Sequence, residues 1–134
     1  MLEINVNELK IGNIVGIAEF MNFKIAKVLE IRKERVLVEE KVGIYSSKNH
    51  KIIPVQITED LLLKLGFEKS FKNDYWFSIR IGDKRLLVSI LGNIEIEKWD
   101  KTMISFLSVC EYVHQLQNLF FSLTGEELVF STEP

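Results

Sequence analysis

The chain has 134 residues, 47% hydrophobic and 27% charged, with a formal net charge of −2 at pH 7. That length and apolar fraction suit one domain, or two small lobes sharing a core. The near-balanced charge argues against the strongly basic class of nucleic-acid binders, and the single cysteine, Cys110, excludes an internal disulfide and a multi-cysteine metal site.

The opening Met1-Leu2-Glu3-Ile4-Asn5 lacks the basic and apolar regions of a secretion signal. No apolar run approaches the ~18 residues needed to span a bilayer. A cytoplasmic protein with no membrane partner is expected.

The first section, to Pro54, reads as β. Ile11 to Ile17 is short, β-branched and punctuated by glycine; Phe23 to Ile31 alternates around Lys24, Lys27 and Glu30. Arg32-Lys33-Glu34 is a polar turn, Arg35 to Glu39 a further strand, and Lys51-Ile52-Ile53 another, ended by Pro54. Short strands with polar turns predict a small, strongly bent sheet or SH3-like barrel. Phe20 and Phe23 beside Met21 read as a packed hairpin. Residues 1–57 carry nine Lys/Arg against seven Asp/Glu. Glu19, Glu30, Glu34, Glu39 and Glu40 interleave with Lys24, Lys27, Arg32, Lys33 and Arg35, and are expected to cancel most of their field. Nucleic-acid binding by this barrel is therefore the alternative reading, not the favoured one.

Thr58 suits an N-cap, with Glu59 and Asp60 at the positive end of a short helix carrying Leu61, Leu62 and Leu65 and closed by Gly66. A three-stranded antiparallel meander follows. Tyr75, Phe77, Ile79 and Ile81 share one face of its first strand, and Trp76, Ser78 and Arg80 the other; Gly82-Asp83 and Gly92-Asn93 mark tight turns. Leu86, Val88 and Ile90 alternate in the second strand. In the third, Ile94 and Ile96 face in, with Glu95 and Glu97 on a solvated face. Residues 102–110 are ambiguous between strand and helix. A helix runs from Tyr112 to Thr124 and stops at Gly125, and Glu127 to Phe130 reads as a last short strand.

The C-terminal helix carries the most specific signal. Val113, Leu116, Leu119, Phe120 and Leu123 gather on one side, while His114, Gln117, Asn118 and Phe121 form a second stripe at i, i+3, i+4 and i+7. No Lys, Arg, Asp or Glu lies between Tyr112 and Thr124. A helix without charges needs cover on both sides. Either its amides satisfy neighbouring backbone, or the stripe meets a ligand or partner. The second option makes His114, Gln117, Asn118 and Phe121 candidate binding residues. A two-fold homo-oligomer would then help to cover them. Trp76 and Arg80, with Trp99 from the same meander, are the other candidates, either as a surface cation–π pair or as a wall for a planar anion.

Catalytic constellations are weak. Cys110 and His114 are spaced to meet on a helix, but no oxyanion-hole signature accompanies them, so Cys110 reads as a buried hydrophobe. Glycine-rich phosphate loops and the G-x-S-x-G and H-E-x-x-H motifs are absent from the sequence. Two histidines without motif spacing, His50 and His114, give no metal site. No cofactor and no enzymatic activity are expected.

The run Tyr112-Val113-His114-Gln115-Leu116-Gln117-Asn118-Leu119-Phe120-Phe121-Ser122-Leu123-Thr124-Gly125-Glu126-Glu127-Leu128 resembles the C-terminal signature of a family of short proteins from phages, prophages and mobile elements of Bacteroidetes. The stretches Glu8 to Val15 and Ile53 to Lys69 are similar to other parts of that family. A departure is Phe120-Phe121-Ser122, where the family carries Tyr-Phe-Ala. The family supplies no catalytic residue to carry over. The resemblance implies a non-enzymatic accessory protein that sequesters a host defence protein or a small nucleotide-like signal. The architecture expected is α+β: a small β-barrel-like lobe over 1–57, then an α+β lobe over 58–134 whose last helix packs on the meander.

Overall fold

A computed structural model describes residues 4–33, 35–70, 74–98 and 103–130, with residues 103–108 described as backbone alone. The protein is α+β, built largely of strands in two antiparallel sheets. It divides into two compact units: Met1–Gln56 with Tyr112–Glu127, and Ile57–Glu111 with Leu128–Pro134.

In the first unit a 3-10 turn, Val6–Glu8, precedes strands β1 (Ile14–Glu19), β2 (Asn22–Ile31), β3 (Val36–Glu40), β4 (Gly43–Ser46) and β5 (Ile52–Ile53). The sheet order is β4-β3-β2-β1-β5, a meander whose fifth strand returns beside the first. Alternation along β2 puts Ala26 and Val28 inside and Phe23, Ile25 and Lys27 outside. Val15, Ile17, Val28, Val36 and Val38 join Ile4, Leu9, Ala26 and Ile52 in one buried cluster. The β2–β3 register shifts between Val28 and Glu30. Such a bulge adds twist and bends the strand, and here it leads into the turn that closes with Arg32 N–H donating to Arg35 O at 2.8 Å. Strand β4 was not legible from the sequence: Gly43 and Ser46 have low strand propensity, and pairing with β3 supplies what propensity does not.

The sequence reading of a packed hairpin at Phe20, Met21 and Phe23 holds for the hairpin, which turns in two residues between Glu19 and Asn22, but its tip is not packed. Phe20 and Met21 are 93% and 86% exposed, and Met21 has φ 62°.

In the second unit, α1 (Glu59–Lys64) starts on Thr58, whose hydroxyl accepts from Leu61 N–H. The expected meander is present as β7 (Trp76–Ile81), β8 (Lys84–Ser89) and β9 (Asn93–Lys98). It is extended at both edges, by β6 (Glu68–Lys69) and by β10 (Met103–Val109), in the order β10-β9-β8-β7-β6. The ambiguity over 102–110 thus resolves as strand for 103–109. Central strand β8 does not alternate as expected: Leu86, Leu87, Val88 and Ser89 are all buried, and Ile90 lies in the turn beyond. A strand paired on both edges and covered on both faces loses the period-two signature.

Helix α2 (Val113–Thr124) belongs to the first unit, which corrects the expectation that it packs on the meander. Its start is held by Val113 N–H donating to Val55 O at 2.8 Å, and by a bridge between Gln56 and Tyr112. Gln115 Oε1 accepts from Tyr112 N–H, half of a capping box. Gly125 ends the helix with φ 74°, as the sequence predicts. Residues 127–130 form no strand, contrary to the reading of the sequence.

Candidate functional site

The uncharged stripe of α2 is engaged within its own unit. Gln117 Oε1 accepts from Ile14 N–H at 2.7 Å, and its Nε2 donates to Gly12 O at 3.2 Å. Asn118 Nδ2 donates to Glu8 O at 2.8 Å and its Oδ1 accepts from Asn13 Nδ2 at 3.0 Å. Asn13 Oδ1 in turn accepts from Lys10 N–H. These amides satisfy backbone groups between the 3-10 turn and the start of β1, beside the bonds that Gly12 N–H and Asn13 O make to Val28 at 2.8 Å.

His114 is fully buried, with Nε2 3.4 Å from Glu8 Oε2 and, among the described residues, no hydrogen-bond partner for Nδ1. Burial lowers its pKa, and the Glu8 carboxylate opposes that shift. Phe121, half exposed, carries the Lys10 ammonium 3.3 Å above its ring. The four stripe residues are therefore brought together, but by contacts that hold α2 in place. Covered within its own unit, the stripe no longer calls for the second copy expected from it.

Trp76 and Arg80 share the outward face of β7, four residues apart, which on a strand is about 13 Å. Arg80 Nε donates to Gly82 O at 2.8 Å. The two do not form one wall, and Trp99 lies outside the described residues. Glu97 is not on a solvated face: its carboxylate pairs with Arg85 at 2.9 Å, both side chains being under a fifth exposed. Cys110 is buried, and burial pushes its thiol pKa up, away from thiolate.

A different group of residues comes together at the β2–β3 turn. Arg32, Lys33, Arg35 and Lys48 line a concavity of about 330 Å³ in the first unit. The first three come from the turn after β2 and Lys48 from the loop after β4. The two segments are stitched through Ser47, whose Oγ accepts from Val36 N–H at 2.8 Å and whose N–H donates to Val36 O at 2.9 Å. Ser46 folds the loop by accepting at its carbonyl from Asn49 and His50 N–H, and at its Oγ from Lys48 N–H. Glu30 accepts from Arg32 Nε at 2.7 Å and Nη2 at 3.3 Å, and that guanidinium holds the Glu30 carboxyl below its usual range.

The expectation that interleaved glutamates cancel the field can be followed for Glu19, Glu30, Glu39 and Glu40, while Glu34, between Lys33 and Arg35, lies outside the described residues. Lys24 pairs with Glu19 at 3.4 Å, and Lys27 lies opposite Glu39 across β2 and β3. Among the described residues Lys33, Arg35 and Lys48 form no salt bridge within 4.0 Å, although the charge of Arg35, after that of Arg32, helps to lower the Glu30 pKa. Sequence reasoning noted the turn cations but not Lys48, which lies 13 positions beyond Arg35 and meets them only because β4 returns along β3. Four converging cations can bind an anion through charge-assisted hydrogen bonds.

Among the described residues no group of three or more His, Cys, Asp or Glu is placed to hold a metal ion, and no helix is long and apolar enough to cross a membrane. The chain matches no family model, no curated protein and no solved structure.

Proposed function

We propose that the protein is a non-enzymatic binding protein that captures a phosphate-bearing, nucleotide-like anion at the concavity of Arg32, Lys33, Arg35 and Lys48. The observation that carries this reading is that Arg32, Lys33, Arg35 and Lys48 line one concavity, with Glu30 the carboxylate bonded to one of them among the described residues. Like charges held together cost self-repulsion that a bound anion relieves. The scaffold supports it: a bent meander whose fifth strand returns beside the first is the arrangement we liken to an SH3-like barrel, which presents loops from a rigid sheet. The setting we propose is that of the resembled phage and mobile-element proteins, acting in the host cytoplasm by sequestration, with an anti-defence role. Capture of a host protein, or assembly into a homo-oligomer, now lacks the support that an open α2 stripe would have supplied.

The test is thermal stabilisation by inorganic pyrophosphate against sodium chloride of equal ionic strength. A ligand that binds only the folded state raises Tm. The wild type is expected to show a pyrophosphate-specific rise, and the double variant Arg35→Gln/Lys48→Gln to lose it. No pyrophosphate-specific rise in the wild type would remove the reading.

A further inference from the structure

We infer that the end of the first sheet opposite the cation concavity is a docking surface for a second copy of this chain, in a two-fold contact. Phe20, Met21, Phe23, Ile25, Val42 and Ile44 form the surface, and all six are exposed. It shares no residue with the concavity, so it stands or falls apart from the anion-capture reading.

The first observation is where the fold puts these side chains. Successive strands of the meander run antiparallel, so the β1–β2 and β3–β4 turns lie at one end of the sheet and the β2–β3 turn at the other. Strand β2 pairs with β3 only from Lys27 onward, while its pairing with β1 continues to Asn22. The stretch from Asn22 to Ala26 therefore projects beyond β3 as part of a two-stranded ribbon, with Phe20 and Met21 at its tip. Phe23 and Ile25 alternate onto the face of Lys27, which lies opposite Glu39, which in turn lies opposite Ile44. Val42 is in the β3–β4 turn. Residues 14–31 and 36–46, which carry the whole surface, are all described.

The second is conformation. Among the described residues, Met21 is the one non-glycine with a positive φ, 62°. A left-handed Met is strained where glycine would not be, and an exposed side chain gives no packing within its own copy in return. Such strain concentrates at functional sites. A flexible thioether at a tip is also suited to filling an irregular apolar gap in a partner.

The third is area. The six exposed fractions amount to about four whole apolar residues, on the order of 700 Å². That exceeds the ~300–600 Å² of the largest apolar patch on a typical monomer. It approaches the ~800 Å² that each partner of a stable complex buries.

The fourth is charge, and it selects the occupant. Residues 18–27 and 39–44 carry three lysines and three glutamates. A surface element that docks on lipid draws on an excess of basic residues, and this end has none. A balanced rim of mixed sign is complementary to itself. Lys27 and Glu39 are exposed, side by side on the outward face, and among the described residues neither forms a salt bridge within 4.0 Å. In a two-fold contact, where residue i meets j and j meets i, Lys27 of each copy faces Glu39 of the other. The apolar tip of each copy then packs against the apolar flank of the other.

The experiment is sedimentation velocity of the intact chain from about 1 μM to about 500 μM. The wild type is expected to pass from monomer to dimer and no further, with a Kd of roughly 10–100 μM. Phe20→Ser should weaken association about tenfold or more. Met21→Gly should weaken it too, while relieving the strain of the dilute monomer. The charge pair gives the sharpest readout. Lys27→Glu alone sets like charges face to face across the two-fold axis, as does Glu39→Lys alone. Each should stay monomeric, and each should keep its Tm when dilute because both positions are exposed. Mixed in equal amounts, the two variants restore both opposite-charge pairs, and the dimer should return. A wild type that stays monomeric at every concentration overturns the inference; its flotation with vesicles of phosphatidylcholine and phosphatidylglycerol would then assign the tip to a lipid surface. Open-ended growth overturns the two-fold closure. A dimer unchanged by Phe20→Ser, or a variant mixture that stays monomeric, places the contact elsewhere and overturns the inference as well.

Discussion

Both sheets have five antiparallel strands, in sequence order in the second and with β5 returned beside β1 in the first, and they handle charge differently. In the second unit Lys64, Lys69, Lys84 and Arg85 each hold a carboxylate, from Asp60, Glu59, Asp83 and Glu97. In the first unit four cations line one concavity, with Glu30 the carboxylate bonded to one of them among the described residues, while uncharged amides hold the helix. Paired charges on a surface contribute little beyond solubility. The comparison locates the cation group in the first unit.

The largest effect is expected in the second unit, at Gly92. Its φ is +93°, and a Cβ there would lie 2.5 Å from the Cys110 carbonyl oxygen, which itself accepts no relief from a flexible side chain because it is backbone. Gly92→Val should cost about 3 kcal/mol, combining left-handed strain with a forced shift of β10 against β9. Gly125 tests the same idea by contrast. With φ +74° and nothing within 4 Å of its Cβ position, Gly125→Val should cost only the conformational part, about 1–2 kcal/mol. Chemical denaturation of both variants checks the pair; equal costs would mean that the close approach at Gly92 is not real.

In the first unit, Gln117→Leu leaves the buried Ile14 N–H without its acceptor and should cost about 2 kcal/mol. An unchanged midpoint in that variant would return the α2 stripe to candidacy as a binding face.

His114 gives a pH signature. Its folded pKa lies below the ordinary value of 6.5 because the ring is buried, so the unfolded chain binds the proton more readily. Stability is then full above about pH 6.5 and is lost as pH falls from there through the folded pKa. Urea midpoints between about pH 7.5 and about pH 5 should fall more steeply for the wild type than for His114→Gln. Equal slopes would mean that the Glu8 contact offsets the burial.

The smallest effect has the opposite sign. Met21 holds a left-handed conformation at an exposed tip, so Met21→Gly should stabilise by about 0.5–1 kcal/mol. A loss of stability would show that the Met21 side chain contributes packing that its exposure does not suggest.

Local chemistry in the chain determined a good deal unaided. Thr58 capping α1, Gly125 ending α2, the Gly82-Asp83 turn and the β7–β9 meander all depend on residues close in sequence, so composition and period alone reveal them. The uncharged face of α2 was also visible, together with the two ways of covering it. Which way holds was decided by contacts more than a hundred positions apart, between Gln117 or Asn118 and the backbone around Gly12. The same is true of the concavity. Arg32, Lys33 and Arg35 stand in the sequence beside glutamates that read as neutralising, and Lys48 stands in a separate loop. Only the return of β4 along β3, and the Ser47 bonds to Val36, bring the four cations together. A charge's partner is set by distance in space, to which sequence separation is a poor guide once strands fold back on one another.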